Sequence, residues 1–178
     1  MKPEIISTRE IYKGRIFNVS LDCVREDSVT YTREIISHNG SAVIVAVFAD
    51  NRIALVRQYR HAAGKYLLEL PAGSLEKDEN PETGAVRELA EEIGVTAEKI
   101  EKLTEFYVSP GFLSEKMFVF LAAELTEVGQ NLDDDELLSI EKITFPQAFE
   151  MIRGGEFEDA KTIAGLILAG SKLGFPFT

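Results

Sequence analysis

The stretch Gly73–Val95, GSLEKDENPETGAVRELAEEIGV, carries a helix with both ends marked and three carboxylates crowded onto it. Asn80 is a strong N-cap, Pro81 suits the first helical position, and Gly94 suits a left-handed stop. These signals predict a helix over Pro81–Ile93. At about 100° per residue, Ala85, Val86, Leu89 and Ile93 fall on one side and are expected to face a core. Glu88 and Glu92 flank that stripe, and Glu91 lies further round. Acids one turn apart on a helix repel, so such an arrangement calls for a cation nearby. Hard divalent ions such as Mg2+ take carboxylate oxygens and bridge to substrate phosphates. Arg87 can pair with Glu91 or reach back to Glu79. The competing explanation is a solvated amphipathic helix, because Glu is a strong helix former.

The rest of the chain must supply the core against which that stripe packs. With 178 residues, it has the length of about one domain. A formal net charge of -11 argues against a general nucleic-acid binder, which presents a basic face. It does not exclude a phosphate substrate, since a bound metal reverses the local sign. Cys23 is the only cysteine, so no intrachain disulfide is expected, and a small core residue is its plainest role. No run approaches the ~18 apolar residues of a membrane span, nor is there a leader-like start. A soluble cytoplasmic protein with no membrane partner is expected.

Short strands are predicted at Ile5–Tyr12, Phe17–Arg25 and Thr30–Ile36 from their loose alternation. The turn cluster His38-Asn39-Gly40-Ser41 divides this N-terminal β-subdomain, residues 1–40, from a main domain, residues 41–178. Ala42–Phe48 is almost wholly apolar and reads as a central strand covered on both faces. Ile53–Tyr59 and Tyr66–Leu70 follow as strands, the latter running into Pro71-Ala72-Gly73. After the acid helix come strands at Leu103–Val108 and Met117–Leu125, an acidic loop over Glu127–Glu136, and a strand at Ile140–Phe145. Helices over Pro146–Arg153, stopped by Gly154, and Asp159–Leu173 close the chain. The fold class expected is α+β, a mixed β-sheet sandwiched between helices, with the small N-terminal β-subdomain.

Gly73, five residues, Glu79, seven residues, then Arg87-Glu88-Leu89-Ala90-Glu91-Glu92-Ile93-Gly94-Val95 matches every fixed position of the Nudix box. The chain therefore resembles the Nudix hydrolases, which cleave nucleoside diphosphates linked to another group with a divalent metal. Arg57-Gln58-Tyr59-Arg60, Leu68–Gly73, Ser109-Pro110-Gly111, Glu115 and Asp159-Ala160-Lys161-Thr162 resemble the ADP-ribose pyrophosphatase branch. Enzymes acting on GDP-mannose and other nucleotide sugars share several of these marks.

The resemblance implies a Nudix fold, with Glu88 and Glu92 as metal ligands and Glu91 as a further ligand or helper. It adds the backbone carbonyl of Ala72, Mg2+ or Mn2+ as cofactor, and a nucleotide-sugar substrate. It places Pro110, a branch marker, among the substrate-binding residues and Glu115 among the catalytic ones. It also implies a homodimer with exchanged N-terminal strands, in which Phe17 and Arg33 contribute to the base and phosphate contacts. Core packing for Phe17 and an exposed sheet charge for Arg33 are the plainer roles. Arg57 or Arg60 could hold the far phosphate by bidentate contacts, or form surface salt bridges. A general base is expected from the acidic loop, at Asp134 or Glu136. His38 and His61 are expected to be structural or surface residues. The reaction implied is Mg2+-dependent cleavage of ADP-ribose to AMP and ribose 5-phosphate. The alternatives are GDP-mannose or a nucleoside triphosphate as substrate, and a non-catalytic nucleotide-sensing module.

Overall fold

Strand β4, Ser41–Ala46, is buried at all six residues, as its apolar run requires. Val43 and Val45 face one core while Ala42, Ile44 and Ala46 face another, the period-2 alternation of a strand covered on both sides. Each fully buried Val or Ile of this strand is worth about 1.5–3 kcal/mol of burial. The structure is a computed structural model and describes residues 2–132 and 136–177.

The main body joins two sheets. A mixed sheet runs in the order β7 (Ala72–Ser74), β4, β9 (Lys116–Glu127), β8 (Val95–Tyr107), with β4 parallel to β9. An antiparallel sheet runs β10 (Leu138–Thr144), β5 (Arg52–Arg60), β6 (Lys65–Glu69). On one face lies the acid helix, contributing Ala85, Leu89 and Ile93 to the core. On the other lie α2 (Phe145–Gly154) and α3 (Ala160–Lys172), contributing Phe145, Ala148, Phe149, Leu166 and Ala169. This is the expected α+β sandwich.

Four local expectations change. The acid helix is α-helical only over α1 (Pro81–Glu88), and Leu89–Ile93 forms a π-helical turn. Asn80 caps it by accepting from the N–H groups of Glu82 and Thr83, and Gly94 ends it at φ 71°, as predicted. Val86 is 37% exposed and does not belong to the core stripe; Gly84 is buried instead, pressed against Leu75. The second helix stops at Gly155, whose φ is 74°, rather than at Gly154, which stays helical. Strand β8 starts directly after Gly94, eight residues before the predicted Leu103, because a polar edge strand shows little alternation.

The N-terminal sheet is β1 (Glu4–Lys13), β2 (Phe17–Glu26), β3 (Val29–His38), all antiparallel. Every residue of β1 is exposed. The sheet meets the body where Ile36 exchanges backbone hydrogen bonds with Phe112 and Ser114.

Candidate active site

Gly73 is the point about which the site is built. The Glu88 carboxylate lies so close over its backbone that a Cβ there would fall 1.9 Å from the carboxyl carbon. Any side chain there would have to displace that carboxylate. The neighbouring Ala72 N–H donates to Glu92 Oε2 at 3.0 Å. Strand β7, which periodicity did not reveal because it has three small residues, therefore holds both inner acids of the helix.

Arg87 ties Glu88 to Glu79 and Glu91. Its Nε and Nη2 donate to Glu79 at 3.1 Å each, and its Nη1 donates to Glu88 at 2.7 Å and to Glu91 at 2.8 Å. Hydrogen bonds from Arg87 hold the Glu79 carboxyl below the usual carboxylate range, and Glu79 also caps the Glu76 N–H.

Burial sorts the acids. Glu88 and Glu92 are 7% and 2% exposed, deeper than a flank position on a regular helix implies. The π turn changes the phase of the helix at this point, and such turns are frequent at functional sites. Burial, and then the neighbouring Glu88 charge, push the Glu92 carboxyl up to about 8. Burial likewise raises Glu88, opposed by Arg87. Among the described residues, no three His, Cys, Asp or Glu side chains stand as a finished metal cage, and Glu88 and Glu91 both accept from the Arg87 guanidinium. The donor set nevertheless suits a hard divalent cation: two buried carboxylates, Glu88 over Gly73 and Glu92 on the Ala72 N–H, are disfavoured as anions by burial and by each other.

A cleft of about 340 Å³ opens over these groups, lined by Gly73, Ser74, Arg87, Glu88, Glu91 and Glu136 among others. The loop after β9 is brought here by two ties to the π turn: Gln130 Nε2 donates to the Glu92 carbonyl at 2.6 Å, and the Asn131 N–H to the Glu91 carbonyl at 3.1 Å. Glu136 thus faces the acid helix, and its charge adds to the upward push on Glu88 and Glu92. Asp134 lies outside the described residues.

The other predicted positions are placed elsewhere. Arg57 pairs with Glu141 at 2.6 Å, on the wall of a second cleft shared with Glu136. Arg60 donates twice to the buried Glu69, at 2.8 Å each. Both arginines are thus in ion pairs in this structure, and Arg60 in a largely buried one. Glu115 accepts from the Ser41 hydroxyl at 2.7 Å and is 3.9 Å from His38 Nδ1, which ties it to the start of β4 rather than to the acid cleft. Phe17 packs on Tyr12 and is 40% exposed. Arg33 stacks on Tyr31 at 4.1 Å and lines a separate cleft against Gly111 and Phe112. Pro110 is exposed in the adjoining turn. Within one chain, then, the structure brings together Glu88, Glu91, Glu136 and Gly73, but not Phe17, Arg33 or Pro110.

Sequence reasoning missed Arg15, His38 and Asn39, which reach the acid cleft from the N-terminal sheet and the connection after it. His38 Nδ1 accepts the Gly40 N–H at 3.0 Å, so its Nε2 carries the proton, 3.4 Å from the Ser74 hydroxyl on the cleft wall. No periodicity or motif marks these residues, because the sheet's placement decides their proximity.

The NUDIX domain family matches residues 38–166. The chain is similar to an "ADP-ribose pyrophosphatase" of Bacillus subtilis, 38% identical over 91% of this chain and 89% of that protein. A "Methanol dehydrogenase activator" of Bacillus methanolicus is 37% identical over 89% and 87%. A "GDP-mannose pyrophosphatase" of Salmonella typhimurium is 31% identical over 82% of each chain. Among solved structures, an "ADP compounds hydrolase" superposes with a TM-score of 0.87 at 24% identity, over 98% of this chain and 95% of that one.

Proposed function

This chain belongs to the Nudix family and is a Nudix hydrolase of pyrophosphate bonds, and from that premise we propose that it converts ADP-ribose to AMP and ribose 5-phosphate with Mg2+. The observation that carries the reading is the cleft in which Glu88, Glu91 and Glu136 converge over Gly73. Water adds to one phosphorus, the bond to the bridging oxygen breaks, and each product leaves with one phosphate. Glu136 accepts the proton of the attacking water, being the acid on the cleft wall opposite the helix. Glu88 and Glu92, with the Ala72 carbonyl, would hold the metal, and Glu91 would assist from its half-exposed position. Mg2+, or Mn2+ in its place, supplies neutralisation of phosphate charge when bound. Arg87 keeps Glu79, Glu88 and Glu91 in register, and the Nε2–H of His38 is available to a phosphate oxygen.

The reading includes a homodimer and a cytoplasmic location. Strand β1 exposes Ile5, Ile6 and Ile11 along its length, as a strand awaiting a second chain would. A partner's N-terminal sheet would bring the equivalents of Phe17 and Arg33 to the nucleotide. Light scattering should give twice 19.8 kDa; the single-chain mass would remove the two-chain site. A chain with one cysteine and no intrachain disulfide suits a reducing compartment.

The test of substrate is a panel of ADP-ribose, GDP-mannose, NADH and nucleoside triphosphates with Mg2+, with products identified. AMP and ribose 5-phosphate should form fastest. Faster turnover of GDP-mannose would move the substrate to the second reading, which the Salmonella relative favours. No turnover of any compound would leave a sensing module.

A further inference from the structure

Asp159-Ala160-Lys161-Thr162 stands on the opposite face of the sheet from the acid helix, and the proposed chemistry does not use it. Its contacts nevertheless run to the site. Asp159 caps α3, accepting from the Thr162 N–H at 3.0 Å, the Thr162 hydroxyl at 2.5 Å and Lys161 Nζ at 3.0 Å. The Thr162 hydroxyl in turn accepts the Leu70 N–H at 2.8 Å, and Lys161 pairs with Glu69. Thr162 is fully buried and Glu69 is 1% exposed. Gly165, one turn on, lets α3 press directly on Leu70, whose Cδ1 lies 2.5 Å from where a Cβ would stand.

Leu70-Pro71-Ala72 is the corner between β6 and β7, and it is suspended from three elements. Pro71 has no N–H, and its carbonyl accepts from Ile44 of β4 at 2.9 Å. The corner's two N–H groups point in different directions: Leu70 to Thr162 of α3, Ala72 to Glu92 of the acid helix. A shift at Leu70 therefore changes the height of Ala72 and Gly73 beneath the two buried carboxylates. Backbone tied to a side-chain hydroxyl at one end, to β4 in the middle and to a proposed metal ligand at the other end links the first to the last.

We infer that Thr162, with its hydroxyl oriented by Asp159, is a positioning residue for the metal site, setting the Leu70–Ala72 corner against Glu92 and Glu88. The inference rests on the metal reading of those two acids. Outer partners of metal ligands set affinity by fixing the ligands' geometry, commonly by 10–100-fold.

Mg2+ binding is measured by calorimetry without substrate, on the parent, Thr162→Val, Thr162→Ser and Glu92→Gln. Thr162→Val keeps the volume and loses the acceptor, and its Mg2+ Kd should rise by ~10-fold. Thr162→Ser should return to within about twofold of the parent, because it restores the hydroxyl. Glu92→Gln should abolish binding; if it binds as the parent does, the metal reading itself fails. If Glu92→Gln loses binding while Thr162→Val keeps the parent Kd, the metal reading stands and the positioning role is overturned. A measurement on the parent alone covers the case in which Thr162→Val does not fold. Mg2+ should slow hydrogen exchange of the Leu70 amide more than that of β10 amides, since coupling is reciprocal. Equal slowing would overturn the link.

Discussion

Two buried acid clusters, around Glu69 and around Glu92, meet the two ends of the Leu70–Ala72 corner and behave oppositely. On the α3 side, burial pushes Glu69 up, but hydrogen bonds from Arg60 and the nearby Lys161 outweigh it, and the carboxyl ends below its usual range. On the acid-helix side, burial and the Glu88 charge leave Glu92 at about 8, with the Ala72 N–H only partly offsetting them. The first cluster carries its own cations and needs nothing further. The second is short of positive charge, and on the proposed reading a bound cation would fill that deficit.

The contrast predicts unlike responses to the same substitution. Glu69→Gln should be the most damaging to folding, at about 3–5 kcal/mol, because Arg60 and Lys161 lose their shared counter-charge. Chemical denaturation with and without Mg2+ measures it, and a loss below ~1 kcal/mol would dissolve the contrast. Glu92→Gln should do the reverse. It should lower kcat/KM by at least ~100-fold while leaving the melting temperature of chelated protein equal to the parent's or higher. The Gln carbonyl still accepts from Ala72, and a buried charge is gone. A melting temperature well below the parent's would show that the Glu92 charge is structural.

Proton linkage separates the clusters next. Glu92 holds its proton more tightly in the folded chain, at about 8 against ~4.3 unfolded. Its contribution is therefore most favourable below the unfolded value and is lost as pH rises toward about 8. Glu69 is depressed on folding, so its contribution is present above the unfolded value and is lost as pH falls through the folded one. Chelated protein should accordingly melt lower at pH 8 than at pH 6, with Mg2+ closing the gap and Glu92→Gln abolishing it. A gap that survives Glu92→Gln would assign it to another group. The smallest effect is expected at Val86, on the outer face of the same helix. Val86→Gln should change stability by less than about 0.5 kcal/mol, as for other exposed positions; a larger loss would return Val86 to the core stripe.

Much of this was legible beforehand. The strand at Ala42–Phe48 followed from an apolar run, and the helix ends from Asn80 and Gly94, because capping chemistry is local. The spacing from Gly73 to Val95 identified the acids. What escaped has a common cause. The Glu69–Lys161 pair joins residues far apart in sequence, although a Glu inside the apolar Leu67–Leu70 run was a signal that it would need a partner. Arg57 and Arg60 offered equally good phosphate or ion-pair roles until their acids were placed. The π turn left no trace in composition, since the same residues form either helix.

By itself, the sequence determined the family, the two ends of the acid helix, and the strands around it apart from β7 and the start of β8, all of which depend on residues near one another in the chain. Tertiary structure alone decided which acids are neutralised. Glu69 and Glu92 are both glutamates beside apolar neighbours, and only the placing of Arg60 on β5 and Lys161 on α3 gives the first two cations, while β7 gives the second a backbone N–H. Charge balance in a low-dielectric interior is fixed by distances of a few ångströms between remote segments, and those distances are set when the layers close.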